Sequence, residues 1–477
     1  MHTAKSNATG AAVLLLLCIC LALPLWSQSQ ASSEATSAQA SSVPATDPGV
    51  RAGGVNAGTP LSSLGAAELQ FFQDGQNRFE QVDQVSSGLG PTFNSNSCAS
   101  CHVQPAVGGS SPSTAQYPNI GPNPQIEAAN ANGATNSIPY FVTATGPVRE
   151  ARFPFVVSNG QVTRTADGGV HDVFTITGRS DAAGCSMAQP NFAQMRELNN
   201  IIFRIPTPLY GAGLIESITD ETIVANMQAN ASLKEQLGIS GHPNYSANDG
   251  SITRFGWKAQ NKSLEMFAGE AYNVEVGVTN ELFTNERGDP PATCLLNPTP
   301  EDSTNFTLSG DQIPSDIVEF SNFMRFLAPP APSTQGISGN PSASSIQAGQ
   351  AIFSQIHCNM CHTSSLTTGQ SAFTSGLSNQ TAALFSDLLV HNMGSGLADN
   401  VSQGAATGNE FRTAPLWGLG QRIFFLHDGR SGPANGGLVN AIQQHASSGS
   451  EANQVISLYN QLTPQQQQEL LNFLRSL

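Results

Sequence analysis

The chain has 477 residues, and at roughly 100 to 200 residues per domain this calls for two or three domains rather than one core. A hydrophobic fraction of 39% with 45 Gly, 29 Pro and only 11% charged residues describes a loop-rich globular protein and excludes a simple bundle or a disordered tail. With 34 acidic against 19 basic residues the net charge is -15, which disfavours nucleic acid and anionic lipid and favours a basic partner.

Residues 1–31 read as a signal peptide: Lys5 lies in a short polar start, Ala11 to Trp26 is apolar and broken by Pro24, and small polar residues follow. The apolar stretch is short for a membrane span, so cleavage after Ala31, or after Ala40, is expected, with an uncleaved anchor as the alternative. An exported, periplasmic protein without a membrane span after cleavage follows. Residues 32–60, rich in Ser, Ala and Gly, have few large apolar side chains to bury and read as a flexible tether.

Leu64 to Val82 predicts a helix leading to Cys98-Ala-Ser-Cys101-His102, a C-x-x-C-H frame. Two thiols about one helical turn apart can each form a thioether to a haem vinyl group, and the adjoining imidazole then reaches the iron. A zinc or redox dithiol is the alternative, but the frame ends in His and lacks a second ligand pair at zinc-finger spacing. Val148 to Val157 and Val170 to Thr177 then alternate like short strands or hairpins, and helices are predicted at Asp220 to Leu237 and Leu264 to Tyr272. For Cys185 and Cys294, between the two frames, a disulfide closing a long loop is expected in an oxidising compartment, free buried thiols being the alternative.

Ala328 to Ser345 carries Pro329, Pro330, Pro332 and Pro341 among Gly and Ser and marks an interior linker. Behind it Ile346, Ile352, Phe353 and Ile356 form one helical face running into a second frame, Cys358-Asn-Met-Cys361-His362. Near the end, Thr463-Pro-Gln-Gln466 has the form of a capping box and opens a helix through Leu470, Leu471, Phe473, Leu474 and Leu477. A second pattern recurs as well: Phe203-Arg204 leads to Pro208-Leu-Tyr-Gly-Ala-Gly213, and Phe411-Arg412 leads to Pro415-Leu-Trp-Gly-Leu-Gly420. Two patterns repeated in the same order argue for two related domains. The expected fold is mainly α, with cytochrome c-like haem domains at residues 61–330 and 346–477 joined by a linker at 331–345. Insertions with some β-hairpin structure enlarge the N-terminal domain.

These residues resemble the bacterial di-haem cytochrome c peroxidase superfamily, and more closely its di-haem oxidoreductase branch, also named for thiol oxidation, over about residues 60–477. The resemblance is carried by Phe93 to Gly109 around the first frame, Arg254-Phe-Gly-Trp-Lys-Ala-Gln260, Asp387-Leu-Leu-Val-His-Asn-Met-Gly394, Phe411 to Gly420 and Phe425-Leu-His-Asp-Gly-Arg430. It implies two covalently bound haem c groups, one held by Cys98, Cys101 and His102 and the other by Cys358, Cys361 and His362. Peroxide then reacts at the N-terminal haem, the C-terminal haem receives and stores electrons, and Trp257 assists their transfer. The family's catalytic Glu maps to Glu275 in Ala271-Tyr-Asn-Val-Glu275-Val-Gly277, with Val276 where the family has Met, and Glu270 is the fallback. Such a Glu is wanted because O–O heterolysis needs a proton moved from the near oxygen to the leaving one.

Met393, 31 residues after His362 in a Gly-bounded loop, is the expected sixth ligand of the C-terminal iron, with His391 second. The family's usual Met position ahead of Phe411 holds Ala-Thr-Gly-Asn-Glu410 instead. No His lies between His102 and His171, so an open or water-bound N-terminal iron is expected, with His171 as the other candidate. His427 and Arg430 are expected to orient turns or haem propionates. Relatives also hold a calcium ion between the domains, whose ligands do not map onto this sequence. The leading function is reduction of hydrogen peroxide with electrons from a small donor protein, a cytochrome or cupredoxin. The alternatives are a di-haem oxidase of a protein or thiol substrate and a non-enzymatic electron-transfer cytochrome.

Overall fold

A computed structural model describes residues 43–53, 56–112, 123–163, 168–302 and 315–477, and the expected signal peptide and its cleavage sites lie outside them. Among the described residues helices outweigh strands, and the strands form small antiparallel sheets of two or three, consistent with the expected helices plus hairpins. No helix among them is long and apolar enough to cross a membrane.

One packing arrangement occurs twice. Helix Ala66–Glu80 buries Phe72, Gly75 and Phe79 and lies against helix Asp316–Phe326. The backbones meet at Gly75, where a β-carbon would stand 2.3 Å from the Glu319 carbonyl oxygen. Helix Ala343–Gln355 lies in the same way against helix Pro464–Ser476, and a β-carbon on Gly349 would stand 2.0 Å from the Glu469 carbonyl oxygen. Only glycine permits so close an approach. One turn further along each pair, Phe79 meets Phe323 at 4.9 Å between ring centroids and Phe353 meets Phe473 at 5.6 Å. The same two phenylalanines touch the frame histidines, Phe79 to His102 at 6.0 Å and Phe353 to His362 at 6.4 Å. Each C-x-x-C-H turn is thereby set beside a crossed pair of helices, one before it in the chain and one at the end of its half. The last helix opens as its sequence predicts: Thr463 Oγ1 accepts from the Gln466 amide, and Gln466 Oε1 accepts from the Thr463 amide at 3.0 Å.

The first half is enlarged by a three-stranded antiparallel sheet in which Glu150–Arg152 lies between Val170–His171 and Ile202–Arg204. Cys185 and Cys294 are bonded, as expected, and tie the segment behind this sheet to the loop that follows residue 288.

Three local expectations are corrected. The predicted helix Asp220 to Leu237 is two helices, Asp220–Gln228 and Ala231–Leu237, because Asn230 adopts φ 56°, a left-handed conformation that Asn tolerates and a helix does not. Helix Leu264–Ala271 continues as a single π turn over Tyr272–Val276. Residues 43–53, read as part of a flexible tether, are packed against the C-terminal half by polar contacts. Arg51 is 1% exposed, its amide donates to the Gly420 carbonyl at 2.7 Å, and Asp47 pairs with Arg475 at 2.7 Å. A composition poor in apolar side chains hid this, since the anchors are ionic and backbone groups.

Candidate haem sites

Each C-x-x-C-H frame opens on a cavity. The first is lined by Cys98, Cys101 and His102, and the second by Cys358, Cys361 and His362. The four frame cysteines are unbridged, in contrast to Cys185 and Cys294. Burial pushes the Cys98 thiol up beyond the ordinary range and the Cys101 and Cys358 thiols to about 12, so these three stand as neutral thiols rather than thiolates poised for a metal.

The two histidines are held alike. His102 Nδ1 donates to the Gly109 carbonyl at 3.1 Å and His362 Nδ1 to the Phe385 carbonyl at 3.0 Å. A carbonyl only accepts, so Nδ1 carries the proton and Nε2 keeps the lone pair a metal needs. The residue before each of these carbonyls is fixed by the recurring Pro-Leu segment: Leu209 N donates to the Gly108 carbonyl at 2.8 Å and Leu416 N to the Leu384 carbonyl at 2.9 Å. The second repeated pattern in the sequence therefore buttresses the histidine of the first. Its Phe-Arg element lines the cavities too, Arg204 the first and Arg412 the second.

Residues of the second cavity fit a large apolar group that carries carboxylates. Arg412 and Arg422 are buried side by side, and among the described residues neither forms a salt bridge. Burial lowers both to about 10, and Arg412 Nη1 and Arg422 Nε have no hydrogen-bond partner. Buried cations left so are costly unless an anion meets them, and haem propionates are such anions. Arg430, expected to orient a turn or a haem propionate, locks its own turn by pairing with Asp428 at 2.6 Å and donating to the Gly396 carbonyl at 2.6 Å. His427 lines the second cavity, with its ring stacked on Phe411 at 4.2 Å.

The first cavity is polar on one side. The register of the three-stranded sheet places Glu150 opposite Arg204, and Glu150, Arg152 and Arg204 all line the cavity. Glu275 joins them from the π turn, its backbone carbonyl fixed by the Asn94 and Ser95 amides at 2.8 and 3.1 Å and its Oε2 accepting from Asn94 Nδ2 at 2.9 Å. A π turn inside a helix often marks a functional site, and here it carries Glu275 to the cavity wall. Burial pushes Glu275 well above the usual carboxylate range, and the Glu150 charge adds to this. Burial acts on Glu150 as well, but the Arg152 charge at 2.7 Å and the hydrogen bond with Glu275 outweigh it and hold Glu150 at about 2. The two carboxyl groups thus share one proton at neutral pH, with the proton on Glu275. Glu270 also lines the cavity and is engaged by Asn261 Nδ2. His171 does not line it: its ring stacks on Phe153 at 3.8 Å.

Trp257 lines both cavities. Its indole Nε1 donates to the Ile205 carbonyl at 2.9 Å, and its own carbonyl accepts from the Arg412 amide at 2.8 Å, so one backbone bond from each half positions it. Met393 lines the second cavity. His391 lines it as well, but Nδ1 meets Glu451 at 2.7 Å and Nε2 meets Asp387 at 2.9 Å. Burial opposes a charged ring there, yet the neighbouring Cys361 sulfur and Asp387 raise His391 well above the ordinary histidine range, leaving no lone pair for iron. Among the described residues, the group Cys361, Asp387 and His391 has ligand atoms within 4.8 Å of one another, but it offers one sulfur, one nitrogen and one carboxylate oxygen rather than the all-oxygen set calcium takes.

Sequence reasoning missed Glu150, Arg152, Arg204, Arg412 and Arg422. The repeated Phe-Arg element held the signal for Arg204 and Arg412, but nothing local pairs Glu150 with Glu275.

The family described as "di-haem oxidoreductase, putative peroxidase" matches residues 157–477. No curated protein sequence matches the chain. Among solved structures, similarity is found to a MauG-like protein associated with microbial copper homeostasis, at 15% identity and TM-score 0.27 over 55% of this chain and 89% of that one. A xenon-pressurised hydrazine synthase from Kuenenia stuttgartiensis is similar at 18% identity and TM-score 0.22 over 35% of this chain, which spans 56% of that protein's length. The match over residues 157–477 is decisive: the chain belongs to the di-haem oxidoreductase family, whose members take haem as cofactor.

Proposed function

We propose that this protein is an exported, periplasmic di-haem peroxidase with two cytochrome c-like halves. In it Cys98 and Cys101, and Cys358 and Cys361, anchor haem c through thioethers, and His102 and His362 ligate the irons. The reaction is H2O2 + 2 H+ + 2 e− → 2 H2O, the electrons coming from a small donor protein, a cytochrome or cupredoxin. Bound haem supplies one-electron redox chemistry at iron. The chain supplies the rest. Protonated Glu275 offers its proton to the departing peroxide oxygen, and Glu150, kept ionised by Arg152, stands ready as the base beside it. Asn94, donating to Glu275 Oε2, sets the carboxyl's orientation. Arg412 and Arg422, each with an unpartnered nitrogen, would neutralise the carboxylates of the second haem. Trp257, on the wall of both cavities, stands where electrons must cross.

The observation that carries this reading is the shared wall: one indole borders both cavities, each with a C-x-x-C-H frame, and only the first also holds a proton-sharing carboxyl pair. An electron carrier has no use for that pair. The net charge of -15 suits a donor with a basic docking patch. The test is peroxide-dependent oxidation of a reduced basic cytochrome by the matured protein. Two donor equivalents consumed per peroxide, more slowly at high salt, is the expected result. Full haem loading without turnover contradicts the peroxidase reading.

A further inference from the structure

We propose that His445 supplies the second axial ligand to the iron of the C-terminal haem, giving that haem two imidazole ligands, His362 and His445. The inference deepens the function proposed above and rests on haem occupying the second cavity.

Five imidazoles line that cavity: His357, His362, His391, His427 and His445. His391 is spent on two carboxylates. His427 is stacked on Phe411 and turns an edge toward Trp257 at 6.4 Å, which places it on the side nearer the first cavity. His357 immediately precedes Cys358 in the frame that already delivers His362, and no ring hydrogen bond orients it among the described residues. His445 is different. It follows helix Gly437–Gln443, its amide donates to the Ile442 carbonyl at 3.1 Å, and its ring Nδ1 donates to the Ala441 carbonyl at 2.8 Å.

This is the arrangement seen at His102 and His362. A carbonyl partner fixes the proton on Nδ1, locks the ring and leaves the Nε2 lone pair free. Of the five, only His362 and His445 show it among the described residues. They come from separate elements, and both line the second cavity.

Met393 competes for the same position. It lines the same cavity and sits on the same stretch of wall, since its carbonyl accepts from Ser447 Oγ at 3.1 Å and its backbone bridges to Ser450. Its thioether, however, ends a flexible chain with no bond to orient it, whereas the His445 ring is already held. Ligand atoms held in place lose less freedom on coordination. Two imidazoles also predict a lower potential for this haem than an imidazole with a thioether, which favours release of electrons toward Trp257 and the first cavity.

The test is absorption and electron paramagnetic resonance spectroscopy of the full-length ferric holoprotein, with haem stoichiometry measured on the same sample. Wild type is expected to show one low-spin haem of bis-imidazole type and no thioether-to-iron charge-transfer band. His445→Gly is expected to convert that haem to high spin, with added imidazole restoring it. Met393→Leu is expected to leave the spectrum unchanged, and His445→Met to raise the midpoint potential. A thioether band in wild type, a high-spin C-terminal haem in wild type, or a low-spin signal that survives His445→Gly overturns the assignment. Should the variants fail to fold, the wild-type spectrum alone separates imidazole from thioether. Fewer than two haems per chain contradicts the function proposed above, whereas two haems with a thioether band contradicts only the role of His445.

Discussion

Glu275→Gln keeps the side chain's volume and an oxygen to accept from Asn94 Nδ2, now at 2.9 Å, but it removes the one proton the carboxyl pair holds. General acid–base catalysis contributes roughly 10²–10⁴-fold to a rate. At about 1.4 kcal/mol per tenfold, that is about 3–5 kcal/mol of barrier. Glu150 is already ionised by Arg152 and holds no proton to give in its place, so the loss is expected in the middle of that range, on the order of 10³-fold in kcat/KM for peroxide. The assay is steady-state donor oxidation at several peroxide concentrations, with haem content and ferric spectrum checked on the same samples. The pH profile sharpens it. Wild-type activity falls as pH rises through the raised Glu275 value. Glu150→Gln removes the charge that helps raise Glu275, so this alkaline limb moves to lower pH. A loss below about tenfold in fully loaded Glu275→Gln, or an alkaline limb unmoved in Glu150→Gln, refutes the reasoning.

Trp257→Phe removes the Nε1 donor to the Ile205 carbonyl and the indole bordering both cavities. Stopped-flow absorption is expected to show electron exchange between the haems slowed at least tenfold or so while both haem spectra stay intact. Gly349→Ala puts a β-carbon 2.0 Å from the Glu469 carbonyl oxygen and is expected to destabilise by about 1–3 kcal/mol, visible as a lower Tm. Cys185→Ser, which opens a loop of 109 residues, is expected to cost about 2–5 kcal/mol, and reductant then has no further effect on Tm. Burial alone would raise Asp47, but Arg475 outweighs it and lowers the folded value below 3.8. The pair's stabilisation is therefore present above the unfolded value of about 3.9 and lost as pH falls through the folded one. Asp47→Asn is expected to flatten that acid limb and to make residues 43–53 sensitive to limited proteolysis at neutral pH.

The parts of the molecule built from short-range order were legible in the sequence. Both frames, the helix that precedes the first of them, the helix face of Ile352 and Phe353, and the Thr463 capping box are written within a few turns of chain. The Cys185–Cys294 bond was expected from the cysteine count together with an oxidising compartment, free thiols being the alternative. What was not legible depends on strands and turns bringing distant residues together. Glu150 reaches Glu275 only because an antiparallel sheet and a π turn face one cavity, and His391 is withdrawn from iron by Glu451, 60 residues on. Arg51 and Asp47 lay in a stretch that composition alone assigns to a tether. Asn230 carries no signal that separates a tolerated helical Asn from a left-handed break.

The most direct test of the account is intact-mass and peptide analysis of protein matured with haem-attachment machinery. Two porphyrins per chain that resist acid extraction, one on the peptide holding Cys98 and Cys101 and one on that holding Cys358 and Cys361, are predicted. A chain carrying none, or one alone, contradicts it.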